Sequence, residues 1–191
     1  MTELAFTLLI FVLAIERMVE LYVSRRNAAW SRARGAIEYG RAHLIWMKLL
    51  HTSFFAGCLL EVWLLSPPFL PALAAGCGAV AIGAQVLRYW TIATLGRRWN
   101  IAVLVLPGVA AETRGPFRFI KHPNYVAVVL EGFAVPLLHS AALTALVFSA
   151  LNAWVLWVRI RCEEAALREH CDYAAALADR PRFLPGGPGA V

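Results

Sequence analysis

The stretch SAALTALVFSALNAWVLWV, residues 140–158, decides the fold of this chain because none of its nineteen residues is charged. An α-helix needs about 20 predominantly apolar residues to cross the hydrocarbon core of a bilayer, which is about 30 Å thick. The whole chain of 191 residues has the same character, with 60% hydrophobic and 16% charged residues. Soluble domains average roughly 45–50% apolar and about 25% charged residues. We therefore predict a membrane protein.

Four further apolar segments precede this one, at residues 3–23, 43–65, 69–93 and 123–138. The turns SPPFLP (66–71) and PLLHS (136–140) separate neighbouring segments as tight connections. The first segment lacks the basic start and the small-residue cleavage site of a signal peptide, so we expect it to be retained as a span. These patterns predict an all-α polytopic protein with about five transmembrane helices, followed by a C-terminal helix that leaves the membrane.

The positive charges lie on one side of these segments. Arginines and lysines are concentrated in residues 25–41, 97–121 and 159–182, whereas residues 1–3 and both tight turns contain none. By the positive-inside rule, the N-terminus is predicted outside and the C-terminus inside, with the large loops in the cytoplasm of a bacterial-type plasma membrane. The net charge of +6 then reflects topology and contact with anionic lipid head groups. A nucleic acid partner is not needed to explain it.

The four cysteines predict no metal site and no disulfide scaffold. Two of them, Cys58 and Cys77, fall in apolar segments, and Cys162 and Cys171 fall in the charged tail. No CxxC pair occurs, and no spacing of cysteine and histidine suits zinc. We expect reduced thiols with structural roles.

Ionisable side chains within membrane segments are costly unless they are paired, so each is a functional candidate. In the first segment, Glu16 and Glu20 share a helix face, and Arg17 can pair with Glu20 at i, i+3. A buried ion cluster that joins this segment to Arg88 or to the inner loops is the favoured interpretation, with catalysis as the alternative.

Glu131 is the second candidate of this kind. It lies six residues after Tyr125, which is ~9 Å deeper along a helix. A carboxylate at this depth could act as a general base. A polar lock against Gln85, His51 or Asn152 explains the residue equally well, and the sequence leaves both open.

The segment RGPFRFIKHPNY, residues 114–125, predicts a helix that begins at Pro123, where a missing N–H costs nothing. His122 would then lie at the helix entrance, beside Arg118 and Lys121. A helix N-terminus in a cationic setting favours an anion. The alternative is an ordinary turn at which the chain enters the membrane.

The tail predicts a helix with two arginine–glutamate pairs. Glu164 and Arg168 are spaced i, i+4, as in a solvated surface pair. Arg159 and Glu163 share the face that is expected to pack against the protein.

Three blocks in the second half carry a resemblance to a known family. They are LRYWT (87–91) with Trp99 and Asn100, GPFRFIKHPNY (115–125), and a tail with Arg159, Glu163, Glu164, Leu167, Tyr173 and PRFLP (181–185). In combination they resemble the isoprenylcysteine carboxyl methyltransferase family over about residues 87–185. This implies an integral membrane methyltransferase that uses S-adenosylmethionine and has no soluble Rossmann domain. The implied division is an N-terminal membrane region (1–86), a catalytic region (87–185) and a flexible tail (186–191).

The resemblance also implies the residues of the site. Those of the cofactor pocket would be Gly115, Phe117, Arg118, Lys121, His122, Pro123, Asn124, Tyr125, Glu163 and Glu164. Arg159 and Glu164 would lie beside the methyl acceptor as catalytic residues. The family usually has arginine where this chain has Lys121, and lysine cannot form the bidentate contact with a carboxylate that arginine forms.

The first half contains ERMVEL (16–21), SRRN (24–27), GAIEYG (35–40), His43 and His51. Together with Glu131, these residues look like the bacterial branch of the family. Some members there methylate alkylpyrones or alkylresorcinols, whose hydroxyl must be deprotonated, and this would give Glu131 a catalytic role as base. The predicted partners are thus a lipophilic or prenylated acceptor and membrane lipids. Rival functions are an NADPH-dependent membrane reductase of the sterol-reductase type, phospholipid N-methylation and a non-enzymatic lipid-binding module.

Overall fold

The structure is a computed structural model that describes residues 1–183, apart from the side chain of His43, and it is mostly helical. The helices are α1 (Glu3–Arg32), α2 (Arg41–Leu65), α3 (Pro71–Leu95), α4 (Pro123–Leu137), α5 (Ala142–His170) and the single turn α6 (Tyr173–Ala176). An α-helix therefore occupies each of the five predicted segments. The predicted flexible tail, residues 186–191, lies outside the described residues.

Three helices in the described part of the chain are long and apolar enough to cross a membrane, namely α2, α3 and α5. Helix α4 is apolar but has only 15 residues, about 22 Å at 1.5 Å per residue. Helix α1 is long enough but carries Glu16, Arg17 and Glu20 in its middle turns. The count of five spans and the orientation of the chain stay predictions.

Helices α1 and α5 are longer than the apolar segments that predict them. Helix α1 continues nine residues beyond Val23, and α5 runs without a break from the apolar segment through the charged tail to His170. The predicted C-terminal helix is therefore the second half of α5, which places Arg159, Glu163 and Glu164 on a rigid extension of the last span.

A two-stranded antiparallel sheet, which no pattern in the sequence predicted, connects the two large loops. Strand β1 (Ile37–Tyr39) pairs with β2 (Val103–Val105), so that Ile37 lies opposite Val105. Val103 and Val105 are buried against Ala166 of α5. The sheet thereby fixes the loop after α3 against the charged half of α5.

Local sequence explains where several helices begin and end. Proline occupies the first turn of both α3 and α4, as predicted for Pro123. Glu61 of α2 accepts hydrogen bonds from the backbone N–H groups of Leu143 and Thr144 at 2.9 and 2.6 Å. A carboxylate at a helix N-terminus satisfies N–H groups that lack an intrahelical partner. This contact connects α2 to the start of α5.

The core lies between the helices, and the outer surface is apolar. Phe6 and Ile10 of α1 pack with Phe54 and Cys58 of α2 and with Phe148 of α5. Large apolar side chains are also exposed along the outside of the helices, including Leu8, Phe11, Ile15, Leu64, Leu65 and Trp154. An apolar surface of this extent is typical of contact with lipid rather than with water.

The close approach of α4 and α5 can be tested at Gly132. A Cβ at this position would overlap the ring of Phe148, so Gly132→Ala is expected to lower the free energy of unfolding by about 1–3 kcal/mol. The measurement is thermal unfolding in detergent.

The matched control is Gly76→Ala in α3, where an added Cβ meets no described atom within 4 Å. Alanine favours a helix over glycine by about 0.5–1 kcal/mol, so this variant should unfold at the same temperature as the wild type or higher. Equal unfolding temperatures for the two variants would contradict the packing described here.

Candidate active site

A cavity of about 1210 Å³ lies between the helices and the loop that contains β2. Part of its wall, the apolar section, consists of aliphatic and aromatic side chains of α1, α2, α3 and α5: Leu9, Leu13, Phe54, Phe55, Ile82 and Phe148. Another part, the polar section, comes from the loop before β2 and from α4 and α5: Asn100, His122, Asn124, Tyr125, Arg159 and Glu163. A cavity with this composition suits a ligand that is apolar at one end and polar at the other.

His122 is fixed in the polar section by a buried carboxylate. It precedes Pro123 at the start of α4, and its Nε2 lies 3.0 Å from Oε1 of Glu164. Glu164 also accepts hydrogen bonds from Arg168 at 2.8 Å and from both Nε and Nη2 of Arg182, at 2.9 and 2.7 Å. Glu164 is thus the centre of a four-residue network that orients the imidazole.

The same network holds the segment that follows α6 against the site. The backbone N–H groups of Lys121 and His122 donate to the carbonyl oxygens of Pro181 and Arg182, at 2.9 and 3.1 Å. The hydrogen bond to Glu164 raises the pKa of the Arg182 guanidinium. Arg182 therefore stays charged while it fastens this segment beside the helix entrance.

Tyr173 of α6 approaches the same nitrogen of His122 that faces Glu164. Its hydroxyl lies 3.5 Å from Nε2 of His122. Burial, together with the neighbouring carboxylates of Glu164 and Glu163, raises the pKa of this phenol. Tyr173 therefore remains a neutral hydrogen-bonding group across the physiological pH range.

A second network joins Tyr125 of α4 to Arg159 and Glu163 of α5. The Tyr125 hydroxyl donates to Glu163 and accepts from Nε of Arg159, the latter at 2.8 Å. Nη2 of Arg159 donates to the carbonyl oxygen of Ile101, in the loop before β2. The predicted placement of Arg159 and Glu163 on one packed face of the tail helix agrees with this arrangement.

Three buried polar atoms in the polar section have no hydrogen-bond partner within residues 1–183. They are Nη1 of Arg159 and the side-chain oxygens of Asn100 and Asn124. A buried polar group without a partner costs about 1–3 kcal/mol. One cationic donor and two neutral acceptors in residues of the cavity wall thus lack a partner in the described part of the chain.

Comparison with known proteins gives the family. The model of the isoprenylcysteine carboxyl methyltransferase family matches residues 76–169. The uncharacterized protein YpbQ of Bacillus subtilis (strain 168) is 40% identical over 165 residues, which cover 86% of this chain and 98% of that protein. This chain belongs to the isoprenylcysteine carboxyl methyltransferase family.

A second relative is an uncharacterized protein of Haemophilus influenzae, 29% identical over 157 residues that cover 82% of this chain and 90% of that protein. Membership of the isoprenylcysteine carboxyl methyltransferase family, together with the apolar helices, identifies an integral membrane protein and indicates a methyltransferase. The cavity described above spans the region that the family model matches and also extends into α1 and α2.

Most of the residues that the family resemblance implies lie in the cavity wall: Phe117, Lys121, His122, Pro123, Asn124, Tyr125, Arg159 and Glu163, as does Glu131. Three are not among the lining residues, namely Gly115, Arg118 and Glu164. Arg118 is exposed, with its guanidinium 5.6 Å from the centre of the Phe119 ring. Gly115 has φ +56°, and a Cβ there would overlap Thr94, so this glycine allows a close turn against α3.

Glu164 has a different place from the one that the resemblance implies. It lies behind His122 rather than in the cavity wall, and both of its oxygens accept hydrogen bonds from His122, Arg168 or Arg182. The pair with Arg168 exists as predicted, but this carboxylate is buried and not solvated. The geometry favours a positioning role for Glu164 over contact with the acceptor.

An ion cluster of Arg17, Glu20, Arg88 and Glu131 lines the cavity between α1, α3 and α4. Arg88 donates two hydrogen bonds to Glu131, one of them 3.0 Å long, and Arg17 donates a third at 3.2 Å. Arg17 also pairs with Glu20 at 2.5 Å, and Nη1 of Arg88 lies 3.7 Å from the same carboxylate. The predicted ion cluster between the first segment and Arg88 is confirmed.

The partners of Glu131 differ from those considered in the sequence analysis. Both of its oxygens accept hydrogen bonds from arginines, and within residues 1–183 none comes from Gln85, His51 or Asn152. Two guanidiniums therefore occupy this carboxylate. This geometry favours the lock over the general base.

Three residues in or beside the site were not predicted as site residues, namely Asn100, Ser24 and Arg182. Asn100 and Arg182 lie within the blocks that carry the family resemblance, so their presence in those blocks was an available signal. Ser24 accepts a hydrogen bond from the backbone N–H of Ile101 at 2.9 Å. Ser24 and Ile101 are far apart in the chain, and only the three-dimensional structure brings them together.

Within the described residues, no group of three or more metal-ligating side chains could hold a metal ion.

The positioning role of Glu164 predicts a local effect of Glu164→Gln. The variant keeps a hydrogen-bond acceptor but loses the charge that holds Arg182, so the segment at Pro181 and Arg182 should separate more often from Lys121 and His122. Hydrogen bonds to charged groups contribute about 1.5–3 kcal/mol. Hydrogen exchange at the amides of Lys121 and His122 should therefore accelerate by about tenfold or more.

The control is Glu169→Gln, the same change on the same helix at an exposed carboxylate. It should leave exchange at both amides unchanged. Unaltered exchange in Glu164→Gln as well would show that Glu164 does not hold this segment.

Proposed function

We propose that this chain is an S-adenosylmethionine-dependent O-methyltransferase that acts on a lipophilic acceptor at the cytoplasmic face of the membrane. The acceptor oxygen would belong to a carboxylate, as in a prenylcysteine, or to a phenol or enol hydroxyl, as in an alkylresorcinol or alkylpyrone. Family membership supports methyl transfer, and the divided character of the cavity wall supports an acceptor with an apolar chain.

The observation that carries the proposal is the set of unpaired polar atoms in the cavity wall. Nη1 of Arg159 is a cationic donor that suits the carboxylate of the amino acid part of S-adenosylmethionine. The side-chain oxygens of Asn100 and Asn124 are acceptors that suit its ammonium, adenine amino or ribose hydroxyl groups. The residues present therefore fit this cofactor.

The chemistry that the bound cofactor would supply is an electrophilic methyl group on a sulfonium sulfur. Arg159, Asn124 and Asn100 would bind its polar groups. His122, which Glu164 holds in place, would form part of the cavity wall beside them. Correct positioning of two reactants can contribute up to about 7–11 kcal/mol to catalysis. Transfer from a cation to an anionic oxygen neutralises charge, so an apolar section of the wall beside the reacting atoms would favour it.

The acceptor would place its chain against the apolar section and its oxygen near Arg159. Helices α1, α2 and α3 supply most of that section and are themselves apolar on their outer surfaces. A lipid could therefore reach the cavity sideways from the bilayer between spans. The arginine-rich loops next to the polar section support its placement at the cytoplasmic face.

The proposal predicts that S-adenosylhomocysteine raises the melting temperature of the detergent-purified protein and that NADPH does not. A ligand at a hundred times its Kd stabilises the folded state by about 2.7 kcal/mol. Stabilisation by NADPH alone would contradict methyl transfer and favour a reductase.

A matched pair of variants locates the binding site. Asn124→Ala removes an unpaired oxygen from the cavity wall and should weaken the binding of S-adenosylhomocysteine by about tenfold. Asn152→Ala removes an unpaired oxygen that is also buried but lies outside the wall, and it should bind as the wild type does. Equal affinities of the two variants would place the cofactor elsewhere.

A further inference from the structure

Two apolar side chains in the cavity wall are also largely exposed. Ile82 and Val86 of α3 line the cavity, yet they are 68% and 62% exposed. Phe54 and Phe148 line the same cavity and are buried, because neighbouring side chains enclose them there. Ile82 and Val86 lack such a cover. The cavity therefore opens beside them, and since the outer surface of the helices is apolar, this opening faces lipid.

Ile82 and Val86 belong to the face of α3 that meets α1. Residues 82, 85, 86 and 89 are spaced i, i+3, i+4 and i+7, so they share one helix face. Gln85 and Tyr89 donate hydrogen bonds to the carboxylate of Glu16 on α1. The opening therefore lies where α1 and α3 meet. We call the boundary formed by Glu16 and these four residues of α3 the α1–α3 seam.

Polar side chains, rather than apolar packing, hold the α1–α3 seam together. Besides the two hydrogen bonds to Glu16, Arg17 donates one to Gln85 at 3.2 Å. The core cluster that packs Phe6 of α1 against α2 and α5 includes, among the described residues of α3, only the half-buried Ala81. Hydrogen bonds between long side chains hold the two helices beside each other without filling the space between them. That space can accept an alkyl chain.

The distance from the polar section to the α1–α3 seam can be read along α1. Ser24 accepts a hydrogen bond from the backbone N–H of Ile101, and the carbonyl oxygen of Ile101 accepts one from Arg159. Leu13 lines the cavity and precedes Glu16 of the seam by three residues. The eleven residues from Leu13 to Ser24 span about 16 Å along the helix axis. A chain that begins beside Arg159 would thus reach the seam after about this distance.

We propose that the alkyl chain of the methyl acceptor leaves the cavity through the α1–α3 seam, so that a chain longer than the cavity extends into the bilayer. Ile82 and Val86 contact the chain where it leaves and determine which chain lengths are accepted. The inference rests on the proposed function, which supplies the occupant of the cavity. It narrows the acceptors to lipids by chain length, whether the acceptor oxygen belongs to a carboxylate or to a hydroxyl.

Another opening beside α1 is less suited to this role. Met18 lines the cavity and is exposed, and it shares a helix face with Thr7, eleven residues earlier. Thr7 accepts a hydrogen bond from Trp63 of α2 at 2.9 Å, so Met18 lies on the side of α1 that faces α2. On this side Ile10 packs with Cys58 of α2 in the apolar core cluster. Apolar packing therefore closes part of this boundary.

The test compares methyl transfer to hexyl and hexadecyl acceptors by the wild type and by Val86→Trp. Labelled-methyl S-adenosylmethionine is the donor, and the acceptors are N-acetyl-S-alkylcysteines and alkylresorcinols in one detergent. The hexyl chain ends inside the cavity, whereas the hexadecyl chain reaches past the seam. An indole at position 86 obstructs the opening, so the ratio of kcat/KM for hexadecyl over hexyl acceptors should fall by about tenfold or more. Partitioning of each acceptor into detergent is the same for both proteins and cancels.

The matched control is Val80→Trp, the same substitution on the same helix at a residue that is also exposed but does not line the cavity. It should keep the wild-type ratio, and so should Met18→Trp. A fall of the ratio in Met18→Trp but not in Val86→Trp would place the opening between α1 and α2 and overturn the proposal. If Val86→Trp does not fold, Ile82→Trp replaces it with the same expected result.

Two further results would overturn the proposal. One is an equal change of the ratio in Val86→Trp and Val80→Trp. The other is a wild type that methylates hexyl but not hexadecyl acceptors, because the cavity would then enclose the whole chain. Binding of S-adenosylhomocysteine is measured in every variant and should be unchanged. Its absence in the wild type, or no transfer to either series of acceptors, would instead contradict the proposed function.

Discussion

The pairing of opposite charges inside an apolar helix bundle is the interaction on which this structure depends. Arg17 and Arg88 lie within helices that are otherwise suited to a bilayer, and each contacts the carboxylates of Glu20 and Glu131. An unpaired charge in such surroundings costs several kcal/mol. The pairs make it possible for α1, α3 and α4 to meet around a cavity instead of around a closed apolar core.

The polar section of the cavity is built on a second set of buried charges. Glu164 holds His122 at the entrance of α4, and Arg159 connects Tyr125 to the loop before β2. Both Arg159 and Glu164 lie on the part of α5 that extends past the apolar segment. The helix that is best suited to cross the membrane therefore also carries the groups that shape the site. Because α5 is continuous, it holds the apolar and polar sections of the cavity wall in fixed positions relative to each other.

Much of the fold could be predicted because burial in lipid imposes a strong and local pattern on the sequence. The uncharged residues 140–158, the prolines before α3 and α4 and the i, i+3 pair of Arg17 with Glu20 are signals of this kind. The short strands could not be predicted, since Ile37 and Val105 are far apart in the chain and three residues carry little periodicity. The hydrogen-bond partners of Glu131 could not be predicted either. Its position along α4 follows from the sequence, but its partners depend on how α1 and α3 are rotated about their axes.

The residues of the candidate site could be predicted as a group from the family resemblance, and their individual positions could not. Glu164 and Glu163 are adjacent in sequence, yet only Glu163 lines the cavity while Glu164 lies behind His122. In Glu20, Oε2 lies near Arg17 and Arg88, while Oε1 is buried without a partner among the described residues. No sequence pattern encodes which of the two oxygens the arginines contact.

We propose that the cavity brings a cofactor methyl group to the oxygen of a lipophilic acceptor. The most direct measurement incubates the purified protein with S-adenosylmethionine carrying a labelled methyl group and a host lipid extract, and identifies the labelled product by mass spectrometry. We expect a label on the oxygen of a lipophilic phenol, enol or carboxylate. A label on the nitrogen of a phospholipid head group, or no transfer while the cofactor is bound, would contradict it.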